Sequence, residues 1–345
     1  MKSPKDLLLL SMEDVLACGG ADLELAAGNI KKGFSLLNEG KIHQPPKTTL
    51  RAPNIHSEHH QGIVNLLSSY IDEESGGIFG IKALGAMPSN VTHGLPRATG
   101  LILLFDPATK TPLCVMDAQV ISATRTGAVS YLAVKKLVDP SVERIGLVGS
   151  GVNMRTQLLA LRLALPNLCQ VRVTSKSESR VRFAAEMSGR IGLDILPVDS
   201  VDEATENAQV IVTCLANSNQ PAVLESHLDF QGLTILNIGC YECEDKILAR
   251  MDRIVADIWE HGKHRGVQTH AIGVKNGVIS ERQIEDLGPI LNGEKPGRTS
   301  KTENIFFCPT GLGFEDAMVA SRVYREALRS NRGTRFHLWN HPVWI

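Results

Sequence analysis

Two stretches of this chain combine residue types and spacings that could do chemistry. The first spans residues 144–157, RIGLVGSGVNMRTQ. Ile145, Leu147 and Val148 form a short apolar run that stops at Gly149-Ser150-Gly151, after which Met154, Leu158, Leu161 and Leu165 recur at helical spacing. The pattern reads as a strand, a tight glycine turn and the start of a helix. Gly149 suits a turn that no side chain could make, and Gly151 lets the backbone come close to a pyrophosphate. The free N–H groups of the first helical turn, over Val152, Asn153 and Met154, then face that anion. The usual third glycine is absent, because Met154 stands there, so the motif draws its weight from its surroundings. The second stretch is residues 78–84, IFGIKAL, a presumed core strand with Lys82 between Ile81 and Ala83. A lysine desolvated in an apolar strand has its pKa lowered toward values useful for proton transfer. The alternative is a lysine with a structural role.

The elements that must position the glycine turn alternate. Residues 170–175 (QVRVTS) read as a second strand, 178–191 as a helix, 195–198 as a third strand and 201–208 as a short helix. Residues 209–215 (QVIVTCL), 233–238 and 253–258 supply three more strands, and Thr213 and Cys214 fall at the end of the fourth, on the nucleotide side. Strands and helices alternating in this way predict an α/β fold with a Rossmann-type, doubly wound parallel sheet. The second strand ends in Thr174-Ser175-Lys176-Ser177, with Arg180 one turn into the next helix. NAD-binding folds place an acidic residue at that strand end for the ribose 2′-hydroxyl. No carboxylate is there to repel a 2′-phosphate, and Lys176 and Arg180 can bind one. The expected cofactor is therefore NADP(H), with NAD as the alternative.

Upstream, a helix over residues 12–18 with Ser11 as N-cap is followed by a second over 21–38. Stretches around 48–51, 62–70, 78–84, 99–105 and 112–117 then predict an α+β domain built on an antiparallel sheet. Residues 117–137 read as a helix linking the domains and contain Arg125, residues 259–310 as a polar, turn-rich segment, and 314–328 as a helix that returns to the first domain. The predicted domains are 1–125 with 315–345, for substrate binding and dimerisation, and 126–314, for the dinucleotide.

At 345 residues, 43% of them apolar, the chain is long enough for two domains with proper cores, and its net charge of −1 offers no bulk attraction to nucleic acid or to anionic membranes. The leucine run near the N-terminus is too short for a signal peptide, and no run approaches a membrane span. The expected location is the cytoplasm. Seven scattered cysteines suit a reducing compartment. Cys240 and Cys243 form a lone Cys-x-x-Cys without a second pair to complete a zinc site, and no metal is expected. His56, His59 and His60 read as a solvated loop.

IKALGAMPSN (81–90), residues 94–130 (GLPRATGLILLFDPATKTPLCVMDAQVISATRTGAVS), GLVGSGVNMRTQ (146–157) and TGLGFEDA (310–317) together resemble the ornithine cyclodeaminase/μ-crystallin family. The wording around GLPRATG and ISATRTGAVS looks most like its diaminopropionate-forming amino-acid dehydrogenase branch. The resemblance implies a homodimer built through the antiparallel domain and chemistry on an α-amino acid or its imine. It implies Arg51 and Arg125 as a carboxylate clamp and Lys82 as the acid/base lysine. Guanidinium forks suit carboxylates, and an imine reacting with a nicotinamide needs a nearby proton. Arg97, in a turn, is a further substrate-binding candidate. Where cyclodeaminases carry an aspartate for the distal amine, this chain has Glu242, whose extra methylene displaces the carboxylate by roughly 1.5 Å and speaks against ring closure. Glu242 remains a candidate for orienting water or an amino group. The leading expectation is an NAD(P)-dependent oxidoreductase acting on the C–N bond of an amino, imino or opine-like acid. A cyclodeaminase-type lyase and an NADPH-binding, μ-crystallin-like dimer are the alternatives.

Overall fold

The computed structural model describes residues 6–74, 76–215 and 220–339. The chain divides into two compact units, Met1–Arg125 with Leu312–Ile345, and Thr126–Gly311.

In the first unit β1 (Asp6–Leu10) leads into α1 (Met12–Ala17), α2 (Leu23–Asn38), β2 (Ile42–His43), β3 (Thr48–Leu50), β4 (Ile63–Ile71), β5 (Ile78–Ala86), β6 (Ala98–Phe105) and β7 (Pro112–Asp117). The helix α3 (Gln119–Leu137) begins in this unit and continues into the second. There follow β8 (Arg144–Val148), α4 (Val152–Ala164), β9 (Gln170–Thr174), α5 (Ser179–Ile191), β10 (Ile195–Pro197), α6 (Val201–Thr205), β11 (Val210–Thr213), β12 (Thr234–Asn237) and β13 (Arg253–Ala256). The second unit closes with α7 (Trp259–Arg265), α8 (Thr269–Lys275), β14 (Ile284–Asp286), α9 (Leu287–Leu291) and β15 (Ile305–Cys308). The chain then returns to the first unit as α10 (Gly313–Arg329) and β16 (Thr334–His337).

The sheet of the first unit runs β16-β1-β7-β6-β5-β4-β2, with β3 on the edge of β4. Its pairs are antiparallel, as expected, except β1 with β7, which is parallel. The leucine run, assigned to no element from the sequence, is β1, with Leu7, Leu8 and Leu10 buried. Alternation sorts the central strands: Ile78, Gly80 and Lys82 face inward with Ile102, Leu104 and Met116, while Phe79, Ile81 and Leu101 face the other way.

Helix α10 lies against the inner face, its Phe314 ring edge-on to Phe34 of α2 at 5.1 Å. Two glycines let it settle there. A Cβ on Gly80 would stand 2.5 Å from the Ala317 Cβ, and one on Gly313 would stand 2.6 Å from the Ser68 carbonyl oxygen. Close approach at Gly80, two residues before Lys82 on the same face, brings the acidic start of α10 to that lysine.

The sheet of the second unit is parallel throughout, in the order β10-β9-β8-β11-β12-β15-β13-β14. Six strands were expected and eight are present among the described residues. The extra pair, β14 and β15, lies in the segment read as polar and turn-rich, which also folds into α7, α8 and α9. Ile305, Phe306, Phe307 and Cys308 are each fully buried, so β15 is a strand covered on both faces, without the alternation that exposes a strand in sequence. Cys243 and Cys308 pack in the apolar cluster beside Ile235, Ile254 and Phe306.

Gly80→Val is expected to lower the unfolding free energy by about 1–3 kcal/mol, as overpacking does. Gly28→Ala, at a helical position where a Cβ meets nothing within 4 Å, should be neutral or stabilising. Urea titration of the two variants checks the contrast.

Candidate active site

Lys82 is almost wholly buried on the inner face of β5, 2% exposed. Its Nζ lies 2.6 Å from Asp316 Oδ2 and donates to the Ser122 hydroxyl at 3.2 Å. Arg125, one turn beyond Ser122 on α3, donates from Nη1 to Glu315 Oε2 at 2.9 Å and places Nε 3.3 Å from Asp316 Oδ1. Glu315 Oε2 also accepts the Leu312 amide at 3.1 Å, which secures the first turn of α10. Two cations and two carboxylates thus meet inside the first unit, with both carboxylates in the turn where the helix dipole favours negative charge. Burial pulls the Lys82 amine down from 10.5 to about 8; Asp316 opposes the fall and Arg125 adds to it.

Of the candidates in this unit, the structure brings Lys82 and Arg125 together through Asp316. Arg125 is not the free fork the clamp implied, because two carboxylates already engage its guanidinium. Arg51 follows β3 and donates to the His60 carbonyl, and Arg97 precedes β6; neither forms an ion pair among the described residues. The ladder sets both at the end of the sheet where β5 finishes, with Leu50 opposite Val64, Val64 opposite Gly85 and Ala98 opposite Ala86. The Nε of Arg97 is buried without a hydrogen-bond partner. Glu315, Asp316 and Ser122 were missed. TGLGFEDA was noted as a resemblance, but adjacent acids at a helix start ordinarily signal nothing more than a cap.

In the second unit Gly149 has φ +118°, and a Cβ there would collide with the Cys214 carbonyl oxygen, so the turn admits only glycine. Gly151, Val152 and Asn153 are exposed, and no side chain caps α4. A Cβ on Gly151 would meet nothing within 4 Å, so the chain's own packing does not require a glycine there. The turn and the uncapped amides fit a dinucleotide pyrophosphate. Met154 is fully buried, which leaves only its backbone for a cofactor. Arg155, not foreseen, returns Nη1 to the Ser150 carbonyl at 3.0 Å and pairs with Glu186.

At the end of β9, the hydroxyls of Ser150, Ser175 and Ser177 all lie within 2.9 Å of the Ser179 hydroxyl. Lys176 is exposed, whereas Arg180 is tied to Asp199 and Glu178 and is not the free cation expected for a 2′-phosphate. Glu242 and Thr213 also depart from expectation. The Thr213 hydroxyl is buried and donates to Glu242 Oε2 at 2.7 Å. The same oxygen accepts from Asn237 and from the Gly239 amide, each at 3.1 Å, while Oε1 takes the Leu215 amide. Only 1% exposed, Glu242 braces its loop against the end of β11, and its bonds do not match an orienting or catalytic role.

A parallel sheet in this order with an open glycine turn, in one chain with a desolvated lysine among carboxylates, defines a nucleotide-dependent enzyme of oxidoreductase type. The chain belongs to the ornithine cyclodeaminase/mu-crystallin family, whose model matches residues 9–331. It is 27% identical over 338 residues to N-((2S)-2-amino-2-carboxyethyl)-L-glutamate dehydrogenase of Staphylococcus aureus, covering 97% of this chain and 99% of that one. Its fold matches Delta(1)-pyrroline-2-carboxylate reductase of Thermococcus litoralis in complex with NADH and L-proline, with a TM-score of 0.87, 30% identity and coverage of 95% and 99%. It also matches an archaeal alanine dehydrogenase dimer with bound NAD, with a TM-score of 0.85, 28% identity and coverage of 97% and 100%.

Burial raises the Glu242 carboxyl from 4.5 to about 7, against the hydrogen bonds that lower it. A carboxyl whose folded pKa lies above its unfolded one contributes stability below the unfolded value and loses it as pH rises through the folded value. Between pH 4.5 and 7 this group should therefore make stability fall with rising pH. In Glu242→Gln that component should vanish, so melting temperatures of the variant should fall less over the window than those of the unmodified protein.

Proposed function

We propose that this protein is an NAD(P)-dependent oxidoreductase acting on the C–N bond of a small amino or imino acid. The observation that carries the reading is the Lys82 amine, buried beside Asp316 and brought to about 8, in a chain that also bears an open dinucleotide turn. The net reaction is imino acid + NAD(P)H + H⁺ to amino acid + NAD(P)⁺, and in reverse water can then split the imine. Gly149, Gly151 and the amides of Val152, Asn153 and Met154 would hold the nucleotide's pyrophosphate, with Ser175, Lys176 and Cys214 at neighbouring strand ends. When bound, the nucleotide supplies or accepts the hydride. Lys82 supplies the proton to the nitrogen during reduction and withdraws it during oxidation. Arg51 and Arg97, which have no carboxylate partner among the described residues, grip the substrate carboxylate. Between the two nucleotides, Lys176 favours a 2′-phosphate, and the complexes of the relatives with NADH and NAD support the non-phosphorylated form. A cyclodeaminase reading draws no support from Glu242, whose oxygens are taken up by Thr213, Leu215 and Gly239 at the ends of β11 and β12.

Change in absorbance at 340 nm with imino acids, amino acids and keto-acid/amine pairs tests the reading; no change with any of them in either nucleotide would end it. Lys82→Ala should lower kcat by about 10²–10⁴-fold with nucleotide affinity kept. Reduction, which needs the ammonium, should decline as pH rises through about 8, and oxidation, which needs the free amine, should rise through the same value.

The outer face of the first unit's sheet supports a homodimer. Val64, Ile81 and Leu101 are 41%, 37% and 50% exposed there, beside a hollow lined by Tyr70, Phe79 and Phe105. An apolar sheet face of this kind wants a cover, and a second copy supplies an identical one. Sedimentation should give twice the chain mass, and Ile81→Asp with Leu101→Asp should give single chains; an unmodified protein that sediments as one chain would refute the dimer. The described residues include no helix long and apolar enough to cross a membrane, and seven cysteines with no disulfide among them suit the reducing cytoplasm.

A further inference from the structure

The proposed reaction needs an amine and a grip on a carboxylate, yet the most fully enclosed charges around them are acids. We propose that Asp316 is the positioning residue for Lys82, fixing both the direction of its amine and its readiness to hold a proton. The inference rests on Lys82 as the acid/base group.

The geometry divides the work between neighbours in sequence. Adjacent residues on a helix point about 100° apart, so Glu315 and Asp316 reach different cations. Glu315 takes Arg125 Nη1 and the Leu312 amide, and is thereby pinned. Asp316 is left to Lys82 through Oδ2 and to Arg125 Nε through Oδ1. The groups that face the lysine are Asp316 and Glu315 from α10, and Arg125 and Ser122 from α3; among the charged ones the Asp316 carboxylate is in direct contact. An ammonium has three N–H bonds. One is given to the Ser122 hydroxyl, and the Asp316 carboxylate at 2.6 Å holds the charged head in place while leaving it N–H capacity for a reacting nitrogen.

Arg125 completes the device. A guanidinium stays charged throughout, so when Lys82 gives up its proton the Asp316 carboxylate keeps one cationic partner. Asp316 can thus hold the amine in the same place in both of its charge states. Desolvation and Arg125 both disfavour the ammonium, and the opposing influence of Asp316 keeps the amine titrating near neutrality.

The test is the pH profile of kcat/KM, measured on the whole enzyme in both directions, for Asp316→Asn, Asp316→Glu and Lys82→Ala. Asp316→Asn removes the stabilising charge, so the limb due to Lys82 should move to lower pH by about one to three units. Asp316→Glu, which keeps the charge, should bring the limb back toward its original position at a reduced kcat. A merely structural Asp316 would lower kcat or the melting temperature and leave the limb where it was, and that result overturns the inference. Active Lys82→Ala would overturn the reading of the lysine itself, whereas inactive Lys82→Ala with an unmoved limb in Asp316→Asn overturns only the inference. Should Asp316→Asn fail to fold, the unmodified enzyme labelled with ¹³C at aspartate carboxyls decides. One buried carboxylate signal should shift with the midpoint of the kinetic limb, and no such signal means Asp316 does not sense the lysine.

Discussion

The first unit depends on one constraint: four charges enclosed by apolar packing must balance one another. Lys82 and Arg125 come from a strand and a helix of the N-terminal part, Glu315 and Asp316 from the first turn of a helix some two hundred residues later. Taking ions out of water costs several kcal/mol for each, and leaving one partner alone costs about 3–5 kcal/mol. The return of the chain as α10 is therefore an electrostatic requirement of the first unit as well as a packing one. The small residues around it follow from that requirement. Gly80 and Gly313 remove the volume that would hold the helix off the sheet, and the Leu312 amide meets the same Glu315 oxygen that meets Arg125.

The second unit is governed by a different economy. Its glycine turn is closed to side chains on one side, by the Cys214 carbonyl at Gly149, and open on the other at Gly151. The backbone amides that follow have no cap, which is a cost unless an anion answers them. Glu242, by contrast, spends all of its hydrogen-bonding capacity on the loop between β11 and β12 and the loop after β12. The Glu242 side chain reaches from its loop to the end of β11 and acts there as a brace.

Legibility in the sequence followed the strength of local pattern. The glycine turn, the strands β8 to β13 and the helix α10 were readable because each pairs a clear period with a terminator. The fully buried IFFC of β15 was not, since a four-residue apolar run inside a polar stretch has neither period nor length to separate it from a loop. Lys82 stood out as a charge set in an apolar strand. Its partners did not, because Glu and Asp at a helix start are what capping and the helix dipole already favour. Only the tertiary return of α10 tells a buried acid pair from a solvated one. The same limit applies to Arg180 and Thr213: their types were suitable, and only coordinates show that Asp199 and Glu242 have engaged them.

A buried ion pair is weak evidence for stability, since apolar residues of similar volume commonly do as well or better. The cluster around Lys82 therefore calls for a reason outside folding. An arginine at residue 82 could satisfy Asp316 with better geometry and would never titrate. A leucine would remove the cost of burial altogether. Lysine is the choice that leaves a proton free to come and go, and only if burial and a carboxylate are set against each other does that exchange fall near neutral pH. Burial loosens the amine's hold on its proton, and the carboxylate tightens it. The balance between the two, at about 8, is the property that neither stability nor packing demands, and proton transfer does.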